Sequence, residues 1–146
     1  MNSRAMHVLL VEDEDLHALF VEKSFRTHEQ ATLDRVRDGT EAMDYIRRRG
    51  EFHNRRRPNL VLLDLQMPRM NGHEVLERLK ADDDLKTIPV VVLTTSDAQE
   101  DRTEAYRLHA NSYVVKPTDF GTFRRMIGAL HSYWGEWNRP PLDARA

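Results

Sequence analysis

The chain has no cysteine. Disulfide frameworks, thiol chemistry and cysteine-built zinc sites are therefore excluded, and a reducing compartment is the natural setting. Charge of one sign is also lacking: 22 Lys and Arg stand against 24 Asp and Glu, a formal net charge of -2. Such a chain has no general attraction to a polyanion, so nucleic-acid binding is not expected. No apolar run approaches the roughly 20 residues that cross a bilayer. The first apolar run is too short for a signal peptide and meets acids at once. No membrane association is expected, and the cytoplasm is the expected location. Internal repeats and low-complexity linkers are missing too. The seven histidines lack ligand spacing and read as surface or core residues.

What is present fits one folded domain. The length is 146 residues, with 40% hydrophobic and 32% charged side chains. The organising stretch is Leu60-Val61-Leu62-Leu63, which ends in Asp64 and is followed by Met67-Pro68. A short unbroken apolar run of this kind reads as a strand buried on both faces. Three more runs stop abruptly. Val8-Leu9-Leu10-Val11 meets Glu12-Asp13, Val90-Val91-Val92-Leu93 meets Thr94-Thr95-Ser96, and Tyr113-Val114-Val115 meets Lys116-Pro117. A weaker strand at Ala31–Val36, interrupted by Asp34 and Arg35, suits an edge.

Helical segments separate these strands. They are expected over Glu14–His28 (Leu16, Leu19 and Phe20 at helical spacing), Gly39–Arg49 (Ala42, Met43 and Ile46 inward), and Glu74–Lys80 (Val75, Leu76 and Leu79 on one face). A polar one opens at Ser96-Asp97-Ala98-Gln99 with capping-box spacing and runs to about His109. Its buried positions would be only Ala98, Ala105 and Leu108. Asp119 can cap the last helix. Strand-helix alternation with long connections demands a parallel sheet covered on both faces. Five strands predict the flavodoxin-like (βα)5 doubly wound α/β sheet, order 2-1-3-4-5. The domain core would span about 6–130, with 131–146 extending the last helix into a tail.

In open α/β sheets, ligands sit at the carboxyl ends of strands. Glu12, Asp13 and Asp64 would meet there from neighbouring strands. Crowded carboxylates repel unless a cation joins them, and oxygen ligands without His or Cys select Mg²⁺ or Mn²⁺. Magnesium commonly shares its shell with phosphate oxygens. Lys116 is a point charge for a phosphate oxygen, and the Thr94 hydroxyl can hold another. A central carboxylate can attack phosphorus and become an acyl phosphate. Asp64 is that candidate. Alone it would read as an aspartate capping a turn; the company of Glu12, Asp13, Thr94 and Lys116 sets that reading aside.

Glu12-Asp13, Asp64 with Met67-Pro68 and Gly72 after it, Thr94 and Lys116-Pro117 resemble, in order and spacing, the receiver domain of bacterial two-component response regulators. The likeness covers Met6 to about Leu130. It implies that Asp64 accepts phosphate from a histidine kinase. It implies Mg²⁺ held by Glu12, Asp13, Asp64 and the backbone carbonyl of Gln66. It implies Thr94 and Tyr113 as a switch pair, and a cis bond before Pro117. The loop ending Arg55-Arg56-Arg57-Pro58 and the stretch Val92–Ser96 look like the stand-alone regulators paired with bacterial and cyanobacterial phytochromes, which implies a bacteriophytochrome kinase as partner. Four residues depart from the common pattern or bear on it: Glu12 is longer than the usual aspartate, Thr95 replaces a small residue, and Gln66 and Ser96 flank the path of an attacking water.

Such a chain would be a switch that acts through protein contacts, assisting its own phosphorylation and dephosphorylation without being an enzyme on other substrates. Two alternatives are an Mg²⁺-dependent aspartyl-phosphate phosphatase and a docking module that is never phosphorylated. Against the first, Gln66 stands where such enzymes place a second acid. The last helix carries Phe120, Phe123, Ile127, Leu130, Trp134 and Trp137 at steps of three and four. Its far end, Tyr133, Trp134 and Trp137, exceeds what one sheet face needs and predicts a homodimer interface, ended by Pro140-Pro141. The arginine clusters at 47–49 and 55–57 read as a solvated face.

Overall fold

The apolar runs form the strands of one five-stranded parallel sheet: β1 (Met6–Val11), β2 (Ala31–Val36), β3 (Leu60–Leu63), β4 (Val90–Thr94) and β5 (Ser112–Val115). Their order is β2-β1-β3-β4-β5, as expected. The computed structural model describes residues 5–28 and 30–141; the end of the predicted tail lies outside them. Strands β1, β3 and β4 are buried along their whole length, while β2 and β5 form the two edges and are only partly covered.

Alternation along the central strands divides the core. Leu9, Val11, Val61, Leu63, Val90 and Val92 face α2 (Gly39–Ile46), α3 (Gly72–Ala81) and α4 (Gln99–Arg107). Val8, Leu10, Leu60, Leu62, Val91 and Leu93 face α1 (Asp15–Phe25) and α5 (Phe120–Ser132). Both faces being dry explains why these strands are apolar at every position except His7 and Thr94.

Several helix limits differ from the sequence reading. The buried side of α1 is Ala18, Val21 and Phe25, whereas Leu16 and Leu19 are exposed. The pattern of the largest apolar residues misreports that helix, because a small residue, Ala18, makes the close approach to the sheet. Helix α2 closes at Ile46, not Arg49. The chain reverses at Arg48, which takes φ 58°, two residues ahead of Gly50. Helix α4 starts at Gln99 after Ala98, which gives no side-chain cap. Ser96 does not act as the expected cap; its hydroxyl accepts from Ala98 N at 3.2 Å and donates to Asp101 Oδ2 at 2.6 Å. Only Ala105 of α4 is fully buried, and Ala98 is exposed. Asp119 does cap α5, accepting from Thr122 N at 2.9 Å.

Helix α5 passes into one π-helical turn, Tyr133–Trp137. The wider turn rotates the aromatic residues relative to the stripe of α5. Trp134 packs against the core face shared by α1 and α5. Tyr133 and Trp137 point outward, 53% and 75% exposed. The predicted three-residue apolar surface is therefore two residues wide. No helix among the described residues is long and apolar enough to cross a membrane.

Candidate functional site at the carboxyl edge of the sheet

Strand register brings the site together. Val11 pairs with Leu63, so the next residues, Glu12 and Asp64, leave the sheet side by side. Asp64 N still donates to Val11 O (3.1 Å), and Glu12 N to Val36 O (3.0 Å). On the other side Thr94 pairs with Val115, and Lys116 N donates to Thr94 O at 2.8 Å. Glu12, Asp64, Thr94 and Lys116 thus end four strands at one edge, all of them buried.

The Lys116 ammonium is the centre of the cluster. It donates to Glu12 Oε1 at 2.5 Å, to His17 Nδ1 at 2.8 Å and to Asp64 Oδ2 at 3.2 Å. Glu12 is 1% exposed. Burial and the neighbouring Asp64 charge push its carboxyl up to about 7, against the pull of Lys116. One lysine does not offset two buried acids, so the cluster favours a further positive charge. Carboxylate oxygens of Glu12, Asp13 and Asp64 lie within 4.8 Å of one another. An all-oxygen set at that spacing fits a hard divalent cation, Mg²⁺ or Mn²⁺. Asp13 is the most open of the three, half-buried where the others are covered.

The remaining predicted residues surround this cluster. Gln66 meets Asp64 through its amide, which donates to Oδ1 at 3.2 Å. The Thr94 hydroxyl accepts from Ser96 N at 3.3 Å. Tyr113 is half-buried, packs against the core beneath α2–α4, and donates from its hydroxyl to Ser96 O at 2.9 Å. Burial raises the Tyr113 phenol. Ser96 therefore links Thr94 to Tyr113 through its own amide and carbonyl. The peptide bond before Pro117 is trans, as is every other bond among the described residues, which corrects the expected cis bond. Trans is the intrinsically preferred form even before proline. Tyr133, Trp134 and Trp137 belong to the π-helical turn after α5, outside this cluster.

Other contacts were not readable in advance. His17, from the first turn of α1, reaches the Lys116 ammonium, and nothing in its own spacing marked it. His7 is buried, with Nε2 2.7 Å from the Tyr45 hydroxyl, which in turn donates to Asp34 Oδ2 at 2.6 Å. Asp38 caps α2 through Glu41 N and accepts from Arg69 Nε at 3.0 Å. Arg69 holds φ 65° in the loop after Met67-Pro68, so this pair pins that loop to α2. Gly72 lies under the strand end, where a Cβ would stand 2.4 Å from Asp64 O and 2.7 Å from Leu65 Cα. That close approach, not a special dihedral, requires glycine.

A doubly wound parallel sheet with a buried lysine and an acid trio at its carboxyl edge defines the class of phosphoryl-handling switch domains that the motifs resembled. The chain belongs to the response regulator receiver domain family, whose model matches residues 8–128. It is 43% identical over 138 residues to "Probable methanogenesis regulatory protein FilR2" of Methanothrix harundinacea, covering 94% of this chain and 88% of that protein. It is 41% identical over 133 residues to response regulator Rcp1 of Synechocystis, covering 88% of each. Among solved structures, the phosphorylated cyanobacterial phytochrome response regulator RcpA superimposes with a TM-score of 0.90 at 36% identity, covering 94% of this chain and 99% of that one. The Mn(2+)-bound form of Rcp1 gives 0.88 at 39% identity with the same coverage. Receiver domains as a family take phosphate on an aspartate and are served by histidine kinases.

Proposed function

We propose that Asp64 is the phosphoacceptor, and that this chain carries signals from a phytochrome-type histidine kinase. The observation that carries the assignment is the Lys116 ammonium, which bridges Glu12 and Asp64 inside a buried acidic cluster. An Asp64 carboxylate oxygen attacks the phosphorus of a phosphohistidine. The new O–P bond forms as the P–N bond breaks, and its electron pair stays on the imidazole nitrogen. Lys116 supplies positive charge to a phosphoryl oxygen, and the Thr94 hydroxyl turns toward another. Glu12, Asp13, Asp64 and the Gln66 carbonyl would hold Mg²⁺ or Mn²⁺, which supplies charge neutralisation when bound.

Thr94 and Tyr113 form the switch, with Ser96 as the backbone link between them. Loss of the Thr94–Ser96 bond alters the carbonyl that holds Tyr113, and α4, in which only Ala105 is fully buried, is the element free to follow. This is a population shift in one fold. The phosphate later leaves by hydrolysis, so the chain assists its own phosphorylation cycle without turning over other substrates. Relatives described as phytochrome regulators support the partner class. The exposed Tyr133 and Trp137 support a homodimer through the end of α5. A cytoplasmic setting and a single receiver unit with its core at about 6–130 complete the reading.

Incubation with Mg²⁺ and a small phosphodonor, followed by intact-mass measurement, tests the assignment. The expected product is a single phosphoryl adduct, mapped to Asp64 and missing from Asp64→Asn. Steady turnover of many phosphate esters would instead favour the phosphatase, and no adduct the docking module. Light scattering that shows only monomer at high concentration, with and without phosphodonor, would remove the dimer.

A further inference from the structure

Lysine is a compact charge on a flexible stem, and its value at a phosphoryl site depends on where the ammonium is held. The Lys116 ammonium has three protons, and three acceptors meet it. Two of these, Glu12 and Asp64, are carboxylates that the proposed function assigns to the divalent ion. The third, His17 Nδ1 at 2.8 Å, is closer than Asp64 Oδ2 at 3.2 Å and has no part in that assignment. We infer that His17 is a positioning residue for phosphoryl transfer, holding the Lys116 ammonium from the α1 side by accepting one of its protons at Nδ1.

The chemistry of the pair fixes the tautomer. An ammonium offers only donors, so the nitrogen facing it presents a lone pair and the ring proton sits on Nε2. Glu14 Oε2 lies 3.2 Å from the same Nδ1. One nitrogen cannot accept from Lys116 and donate to Glu14 together, and the shorter contact to an obligate donor decides between them. The position of the ring is built in. Helix α1 begins at Asp15, directly behind the acidic pair, and so delivers residue 17 to the rim of the cluster. The His17 side chain is 21% exposed, close enough to solvent to leave the core undisturbed when replaced.

This inference rests on Asp64 as the phosphoacceptor. The test compares His17→Leu, which removes the acceptor, with His17→Asn, whose amide oxygen can stand near the place of Nδ1. Each is treated with phosphoramidate and Mg²⁺, and adduct formation is followed by intact mass over a range of donor concentrations. His17→Leu is expected to lower the maximal rate about tenfold, the scale of one charge-assisted hydrogen bond, with the half-saturating donor concentration changed less than about twofold. His17→Asn is expected to recover most of the loss. Thermal melts establish that both variants are folded. A normal rate for His17→Leu overturns the inference, and so does a His17→Asn variant as slow as His17→Leu. If the wild-type protein itself gains no adduct at Asp64, the functional assignment has failed instead.

Discussion

Replacing Glu12 by glutamine should make the protein more stable at alkaline pH when divalent ions are removed. Glu12 is 1% exposed, and its carboxyl is pushed from an ordinary 4.5 to about 7 by burial and by Asp64. The folded chain therefore keeps the proton at a pH where the unfolded chain has released it. Stability falls as pH rises from 4.5 through 7, and above 7 the full cost of ionising the buried group is present. At 1.36 kcal/mol for each pKa unit, that cost is about 3 kcal/mol. Glutamine is neutral at every pH and imitates the protonated side chain. In EDTA, Glu12→Gln should exceed the wild type by about 2–3 kcal/mol at pH 8, with the difference shrinking to near zero by pH 4.5. Urea titrations at several pH values give the free energies directly, provided the m-values agree. Added Mg²⁺ should reverse the order, because the ion rewards the ionised form that only the wild type can supply. Stability differences that stay constant from pH 5 to pH 8 in EDTA would refute the reasoning.

Lys116→Met leaves Glu12 and Asp64 buried without their cation; it should cost about 3–5 kcal/mol at pH 8 in EDTA by urea titration and suppress adduct formation. Gly72→Ala forces a Cβ against the Asp64–Leu65 backbone and should lower stability by about 1–3 kcal/mol, read as a lower urea midpoint. Asp38→Ala removes both the cap of α2 and the partner of Arg69, and should cost about 1–2 kcal/mol in the same assay. Thr94→Ala should leave Asp64 able to take phosphate while weakening the output; a variant that signals normally would rule out Thr94 as the coupling residue.

The sheet was legible because four apolar runs each stop at a polar residue, two at acids, one at a hydroxyl and one at a lysine, and such stops have few structural explanations. Alternation with helices then gave the strand order, and the order brought Glu12, Asp13, Asp64, Thr94 and Lys116 to one edge. Helix faces were less legible. On α2 and α3 the large apolar residues do face inward, but on α1 the buried side includes Ala18, and no hydrophobic pattern marks Leu16 and Leu19 as outward. His17 was hidden for a different reason. A single histidine in a helix gains meaning only from what another strand, 99 residues away in sequence, brings beside it. The links of Ser96 and Arg69 were equally invisible, since serine and arginine in loops have many ordinary uses. The π turn after α5 could not be read from spacing that continues smoothly through it.

The pairing of Val11 with Leu63 has a consequence for how this pocket can vary. Adjacent strands lie about 4.8 Å apart, whatever side chains they carry. The backbone therefore acts as a fixed ruler between positions 12 and 64, graduated by interstrand hydrogen bonds rather than by the pocket itself. Substitution can alter the length of an arm reaching inward, glutamate against aspartate, but not the pitch between the arms. Variation in the distance between these two carboxylates therefore comes from side-chain reach and not from the sheet.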